Sequence, residues 1–146
     1  MKKIILYFLF CVSLFYFKNG LIAGEFKIST ENSKYKKAYF AGGCFWCMEE
    51  SFDKVEGVIK SISGYSGGHL KDPKYEDVIY KDTGHVEAVE ITYDPDKTSY
   101  ENLLKVFWKN IDPFDRYGQF CDKGKSYRSV VFFQSKKQKK IITDSI

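Results

Sequence analysis

Between Ala38 and Phe52 the chain changes its hydrophobic period at a pair of glycines, and this switch constrains the fold more than any other local feature. Ala38-Tyr39-Phe40-Ala41 is a short apolar strand running into Gly42-Gly43, after which Phe45, Met48, Glu49 and Phe52 recur at helical spacing. The local reading is strand, glycine turn, helix, with Cys44 at the helix start. Residues 58–65 form a second strand, ended by Gly64 and the Gly67-Gly68 pair, and a loop through Pro73 leads to a short helical piece over residues 75–80. Residues 86–93 alternate as a half-buried strand, with Val89, Ile91 and Tyr93 on one face and Glu90 and Thr92 on the other. Asp94-Pro95-Asp96 closes it. Thr98-Ser99-Tyr100-Glu101 reads as a capping box before a helix carrying Tyr100, Leu103, Leu104, Phe107 and Trp108. A long loop with Pro113, Gly118 and Gly124 crosses to a strand over residues 129–133, and Ser135 with Gln138 starts a last, lysine-rich helix. Strands and helices intermixed in this order predict an α+β two-layer sandwich, with helices packed on one mixed β-sheet.

The amino-terminal residues set the limits of that domain. Lys2 and Lys3 precede residues 4–17, fourteen positions without a charge, and Lys18 leads into a softer stretch ending Leu21-Ile22-Ala23-Gly24. Basic, then apolar, then small is the order of an export signal, with a cut after Ala23; the same segment, retained, would anchor the chain through residues 4–24. Either way the folded part is expected outside the cytoplasm, touching a membrane only if the leader stays. Residues 24–35 are polar and read as a linker, leaving 36–146 as one domain. The formal charge of +4 mostly belongs to the leader: three lysines and no acid precede Gly24, so the remainder carries only +1. That balance argues against a nucleic-acid partner. No sequence feature asks for a second copy, and a monomer is expected.

Of four cysteines, at 11, 44, 47 and 121, three lie beyond the leader, an odd number that leaves one thiol outside any disulfide framework. Cys44 and Cys47 form C-x-x-C. Haem attachment needs a histidine next, where Met48 stands, and a zinc site needs a second ligand pair that His69, His85 and Cys121 do not make. Redox chemistry remains, and no metal is expected. A thiol at a helix amino terminus meets unpaired N–H groups and the positive end of the dipole, which favour a thiolate, so Cys44 is the reactive member.

Gly42-Gly43-Cys44-Phe45-Trp46-Cys47-Met48-Glu49 resembles the signature of the A-type peptide methionine sulfoxide reductases. Further matches follow in family order at Gly64-Tyr65-Ser66-Gly67-Gly68, Pro73-Lys74-Tyr75, Thr83-Gly84-His85-Val86-Glu87-Ala88-Val89 and Asp122-Lys123-Gly124-Lys125-Ser126-Tyr127-Arg128-Ser129. The resemblance implies a ferredoxin-like fold and a reductase that returns methionine S-sulfoxide, free or in oxidised proteins, to methionine. By position it makes Cys44 the nucleophile and Glu87 the acid that protonates the sulfoxide oxygen. Tyr75 and Tyr127 become phenols that donate to that oxygen, Asp122 an acid of the same pocket, and Phe45 and Trp46 the apolar cradle of the substrate methyl. Charge growing on an oxygen calls for such preorganised donors, and burial among aromatics would keep Glu87 protonated. His85 is expected to be structural, hydrogen-bonded within its turn.

A sulfenic acid on Cys44 must condense with a second thiol. Relatives often carry recycling cysteines in a longer tail, whereas this chain has none beyond Cys121 and stops at Ile146 in what reads as mid-helix. The candidates are Cys47 and Cys121, with Cys121 preferred because it directly precedes Asp122 and is therefore expected to face the site. An external thioredoxin-like dithiol would restore the thiols, with no bound cofactor. Two rivals stand beside this: a general thiol–disulfide oxidoreductase using Cys44-x-x-Cys47, and a peptide-binding module that keeps the pocket without turnover.

Overall fold

The computed structural model describes residues 34–146; the leader and all but the last two residues of the linker lie outside the described residues. The chain runs β1 (Lys36–Ala41), α1 (Phe45–Asp53), β2 (Val58–Ser66), α2 (Tyr75–Tyr80), β3 (Val86–Tyr93), α3 (Tyr100–Lys109), β4 (Gly118–Gln119), β5 (Asp122–Lys123), a 3-10 turn (Lys125–Tyr127), β6 (Val130–Phe132) and α4 (Lys136–Asp144). Four strands form one sheet in the order β2-β3-β1-β6, and β4 pairs with β5 apart from it. The expected α+β sandwich is the observed architecture. Its three ladders are all antiparallel, a narrower arrangement than the mixed sheet expected from the element order. The reason is topological: α1 joins β1 to β2 across the intervening β3, and α3 lies in the connection from β3 to β6 across β1, the split β-α-β wiring of ferredoxin-like folds.

Register assigns the faces. Ala38 lies opposite Ile91 and Phe40 opposite Val89, so these four share a face, and α1 and α3 cover it with Phe45, Met48, Phe52, Leu103, Leu104 and Phe107. Phe40 is the hub: its ring stacks on Phe52, Phe107 and Tyr100 at centroid separations of 5.0, 5.2 and 6.1 Å. Full burial of such a side chain stabilises the fold by about 1.5–3 kcal/mol, and both central helices draw on it. Ala41, Val86 and Ala88 form a smaller cluster against Val130 and Phe132.

Helix termini differ in detail from the sequence reading. The cap of α3 is Ser99, whose hydroxyl accepts from the Asn102 amide, while Thr98 Oγ1 takes the Asn102 side chain; Glu101 does not close a box. Ser135 caps α4 as expected, accepting from Gln138 N. That helix does not run on to the last residue, because Ser145 N–H closes it on Ile142 O and Ser145 Oγ accepts from Trp108 Nε1 at 3.0 Å. Within the long loop, β4 and β5 were not anticipated. Two-residue strands carry no hydrophobic period; this hairpin turns through Phe120, which adopts a left-handed φ of 49°.

Candidate active site

The central strands β1 and β3 are antiparallel neighbours, so the end of β1 and the start of β3 meet at one end of the sheet. Cys44 follows β1 and Glu87 is the second residue of β3. The turn between β1 and α1 requires glycine: Gly43 has φ +83°, and a Cβ there would stand 2.7 Å from the Cβ of Gln119. Gln119 is buried and clasps its own loop, accepting from Asp112 N and donating to the carbonyls of Asp112 and Gly118. The loop bearing Asp122 is thereby pressed onto the turn bearing Cys44.

Cys44 is the N-cap residue of α1, yet its side chain caps nothing and the first turn holds no acid. The half-buried thiol is left at the positive end of the helix. An acid is supplied from elsewhere: the Phe45 amide donates to Glu87 Oε2 at 3.0 Å. Glu87 is 2% exposed, on the face shared with Val89 and Ile91. Burial pushes its carboxyl above the ordinary glutamate range; the Phe45 amide opposes this and the nearby Asp122 charge adds to it. With Oε2 accepting from the amide, a proton on this carboxyl would be carried by Oε1.

Phenols surround the acid. Tyr127, at the end of the 3-10 turn, is pushed up to about 12, chiefly by burial and then by Glu87 and Tyr75, with which it shares a hydrogen bond. Tyr75 opens α2 and remains 46% exposed, whereas Tyr127 is half-buried. Arg128 fixes the 3-10 turn to β3's approach by donating to the carbonyls of Lys125 and Gly84. His85 is structural, as expected: Nδ1 accepts from Gly68 N at 3.3 Å and Nε2 meets Leu70 O at 2.9 Å. Phe45 is buried, Trp46 is 69% exposed, and their rings lie 5.3 Å apart. One aromatic escaped the sequence reading: Tyr65 lies directly opposite Glu87 in the β2–β3 ladder and packs on Phe45 at 5.7 Å. Its only sequence signal was its place in the Gly64–Gly68 block.

The other side of Cys44 opens into a hollow of about 260 Å³ lined by Cys44, Cys47, Asn110, Phe120 and Asp122 among others. The exposed Cys47 thiol is raised above its ordinary value, first by a hydrogen bond with Cys44, then by burial and by the charges of Cys44, Asp122 and Glu50. Cys121 occupies the tip of the β4–β5 turn, exposed and outside that lining, where its position before Asp122 had led us to expect it inward. Among the described residues no group of three or more His, Cys, Asp and Glu side chains is arranged to hold a metal ion.

A family model described as peptide methionine sulfoxide reductase matches residues 36–146. The chain is similar to the peptide methionine sulfoxide reductase MsrA of Bacillus licheniformis, with 52% identity over 112 residues, covering 77% of this chain and 62% of that protein. It therefore spans less than two thirds of that relative. Among solved structures, methionine sulfoxide reductase A of Corynebacterium diphtheriae superposes with a TM-score of 0.71 at 26% identity, covering 78% of this chain and 57% of that one. Reduced Mxr1 of Saccharomyces cerevisiae gives 0.69 at 30% identity, covering 76% and 68%. Mxr1 has also been solved in complex with Trx2; that chain matches with a TM-score of 0.50 at 23% identity, covering 76% and 66%.

Proposed function

The chain belongs to the peptide methionine sulfoxide reductase family, and from that premise we propose that it reduces methionine S-sulfoxide, free or within oxidised proteins, to methionine. The observation that carries this is the bond from Phe45 N to Glu87 Oε2, which places a buried, protonatable acid one residue from a helix-start thiol. Cys44 attacks the sulfoxide sulfur, forming a sulfur–sulfur bond, as Glu87 gives its proton to the oxygen. Tyr75 and Tyr127 donate to that oxygen while its charge grows, Asp122 borders the same space, and Phe45 and Trp46 hold the methyl group. The hydroxyl then passes to the Cys44 sulfur as that sulfur's bond to the substrate breaks, releasing methionine and leaving Cys44 as a sulfenic acid.

Cys47 then condenses with the sulfenic acid, expelling water and forming a Cys44–Cys47 disulfide. What supports Cys47 over Cys121 is its hydrogen bond with Cys44 and the hollow the two share. An external dithiol reduces the disulfide. A thioredoxin-like protein fits this role, in keeping with the Mxr1 complex with Trx2. The basic-apolar-small order of residues 2–24 supports work outside the cytoplasm.

Two measurements test this. Given a racemic methionine sulfoxide peptide and dithiothreitol, the full chain is expected to consume the S epimer and leave the R epimer; no conversion, or equal loss of both, overturns the assignment. Peptide mapping after a single oxidising turnover is expected to find a Cys44–Cys47 disulfide in the native chain and in Cys121→Ser, and none to Cys44 in Cys47→Ser. A Cys44–Cys121 disulfide in the native chain would transfer the resolving role to Cys121.

A further inference from the structure

Tyr65 has no part in the chemistry above, yet it is the cross-strand partner of the acid on which that chemistry depends. Directly opposed residues in an antiparallel ladder share a face, with Cβ atoms roughly 4.5–5.5 Å apart, and Tyr65 opposes Glu87. On the other side of β3 the pairing with β1 ends at Phe40 and Val89, two residues short of Glu87. The acid is therefore bounded by the start of α1 on the β1 side and by Tyr65 on the β2 side. The same ring rests on Phe45, whose other neighbour is Trp46.

We propose that Tyr65 is a positioning residue for the reduction, its ring closing the β2 side of Glu87 to water and backing Phe45, so that the acid is held in a dry setting beside the start of α1. The proposal rests on Glu87 being the proton donor. The groups around the acid agree with it. Tyr65 is itself pushed up by burial first and by Glu87 second, then by Tyr75 and Glu76, and burial is also the largest cause of the rise at Glu87. Other ionisable groups nearby are Cys44 at the start of α1, Asp122 on β5 and Tyr127 on the 3-10 turn, and from α1 Glu49 accepts from Ser63 N, two residues before Tyr65 on β2. Asp122 reinforces protonation of Glu87, and Tyr65 is the residue of β2 that directly opposes it.

The test is the pH profile of kcat/KM for a methionine sulfoxide peptide, measured on the full chain with dithiothreitol for the native protein, Tyr65→Phe, Tyr65→Ala and Tyr65→Thr. A proton donor must be protonated, so activity falls as pH rises through its pKa; hydrating the carboxyl lowers that pKa. Tyr65→Ala and Tyr65→Thr are expected to move the alkaline limb down by about one pH unit, with a roughly tenfold loss on that limb that shrinks as pH is lowered. Tyr65→Phe, which keeps the ring, is expected to retain the native limb. The threonine variant preserves strand propensity, so a folding defect in the alanine variant does not decide the matter. A loss that is uniform in pH, or a limb displaced as far by phenylalanine as by alanine, overturns the proposal. Glu87→Gln separates its failure from that of the premise: a native alkaline limb that survives in Glu87→Gln shows that Glu87 is not the donor.

Discussion

Cys44→Ser is expected to abolish methionine formation, lowering kcat/KM roughly ten-thousandfold or more, as for other enzymes stripped of their nucleophile. A hydroxyl at this position does not ionise at neutral pH, and helix-dipole stabilisation is too small to change that. Phe45 and Trp46 are left in place, so the loss should fall on kcat, with KM changed by less than about threefold. Labelling by a sulfenic-acid probe should vanish with it. The helix responds in the opposite direction. Cys44 is an N-cap whose side chain caps nothing, whereas serine there can accept from the amides of Trp46 or Cys47, a gain of up to about 1 kcal/mol. A variant that melts higher and forms no methionine is the expected result, and retention of more than a tenth of native activity would remove Cys44 from the centre of the mechanism.

Glu87→Gln is expected to lower kcat/KM by about 10²- to 10⁴-fold, the range for loss of a general acid, and to remove the alkaline limb assigned to that acid. A general dithiol oxidoreductase built on Cys44 and Cys47 would be indifferent to this change, so a fully active variant would revive that rival. Stability should move the other way here as well. The folded-state pKa of Glu87 lies above its ordinary value; the folded chain therefore binds a proton that the unfolded chain has released. The associated stabilisation is complete below the unfolded value and is lost as pH rises through the folded one. At pH 7–8 the native protein bears the cost of a buried carboxyl that the neutral amide avoids. Thermal melts of the two proteins should thus diverge with rising pH, with glutamine the more stable, and coincide near pH 4.

Much of this site could be read before its geometry was known, for physical reasons that differ by residue. Glu87 shares its parity with Val89, Ile91 and Tyr93, so the alternation that buries those three buries the acid as well, although Glu90 beside them suggests a solvated face. Cys44 was legible because a strand, two glycines and a helical period leave one place for a helix start. Tyr75, Tyr127 and Asp122 were not derivable from local pattern; only their place within family-like blocks singled them out. Tyr65 and Gln119 were missed because their roles depend on contacts between distant segments: a ladder register in one case, a side chain clasping backbone in the other. The inward orientation expected of Cys121 failed for a related reason. It assumed that neighbours in sequence face alike, and Cys121 stands at a hairpin tip turned by the left-handed Phe120.

The split wiring of the sheet divides the labour of the site between two kinds of structure. Cys44 and Glu87, the proposed nucleophile and acid, sit at adjoining ends of the two innermost strands, and their separation is set by the ladder that also holds the core together. The groups that would meet the substrate oxygen and its surroundings, Tyr75, Asp122 and Tyr127, arrive on a short helix, a two-residue strand and a single 3-10 turn. Insertions, deletions and exchanges in those peripheral segments can reshape what is admitted while leaving the reacting pair at a fixed spacing. A lineage of such proteins is therefore free to explore new substrates at its rim, whereas the proposed transfer of oxygen from sulfur to sulfur would stay tied to the integrity of the fold.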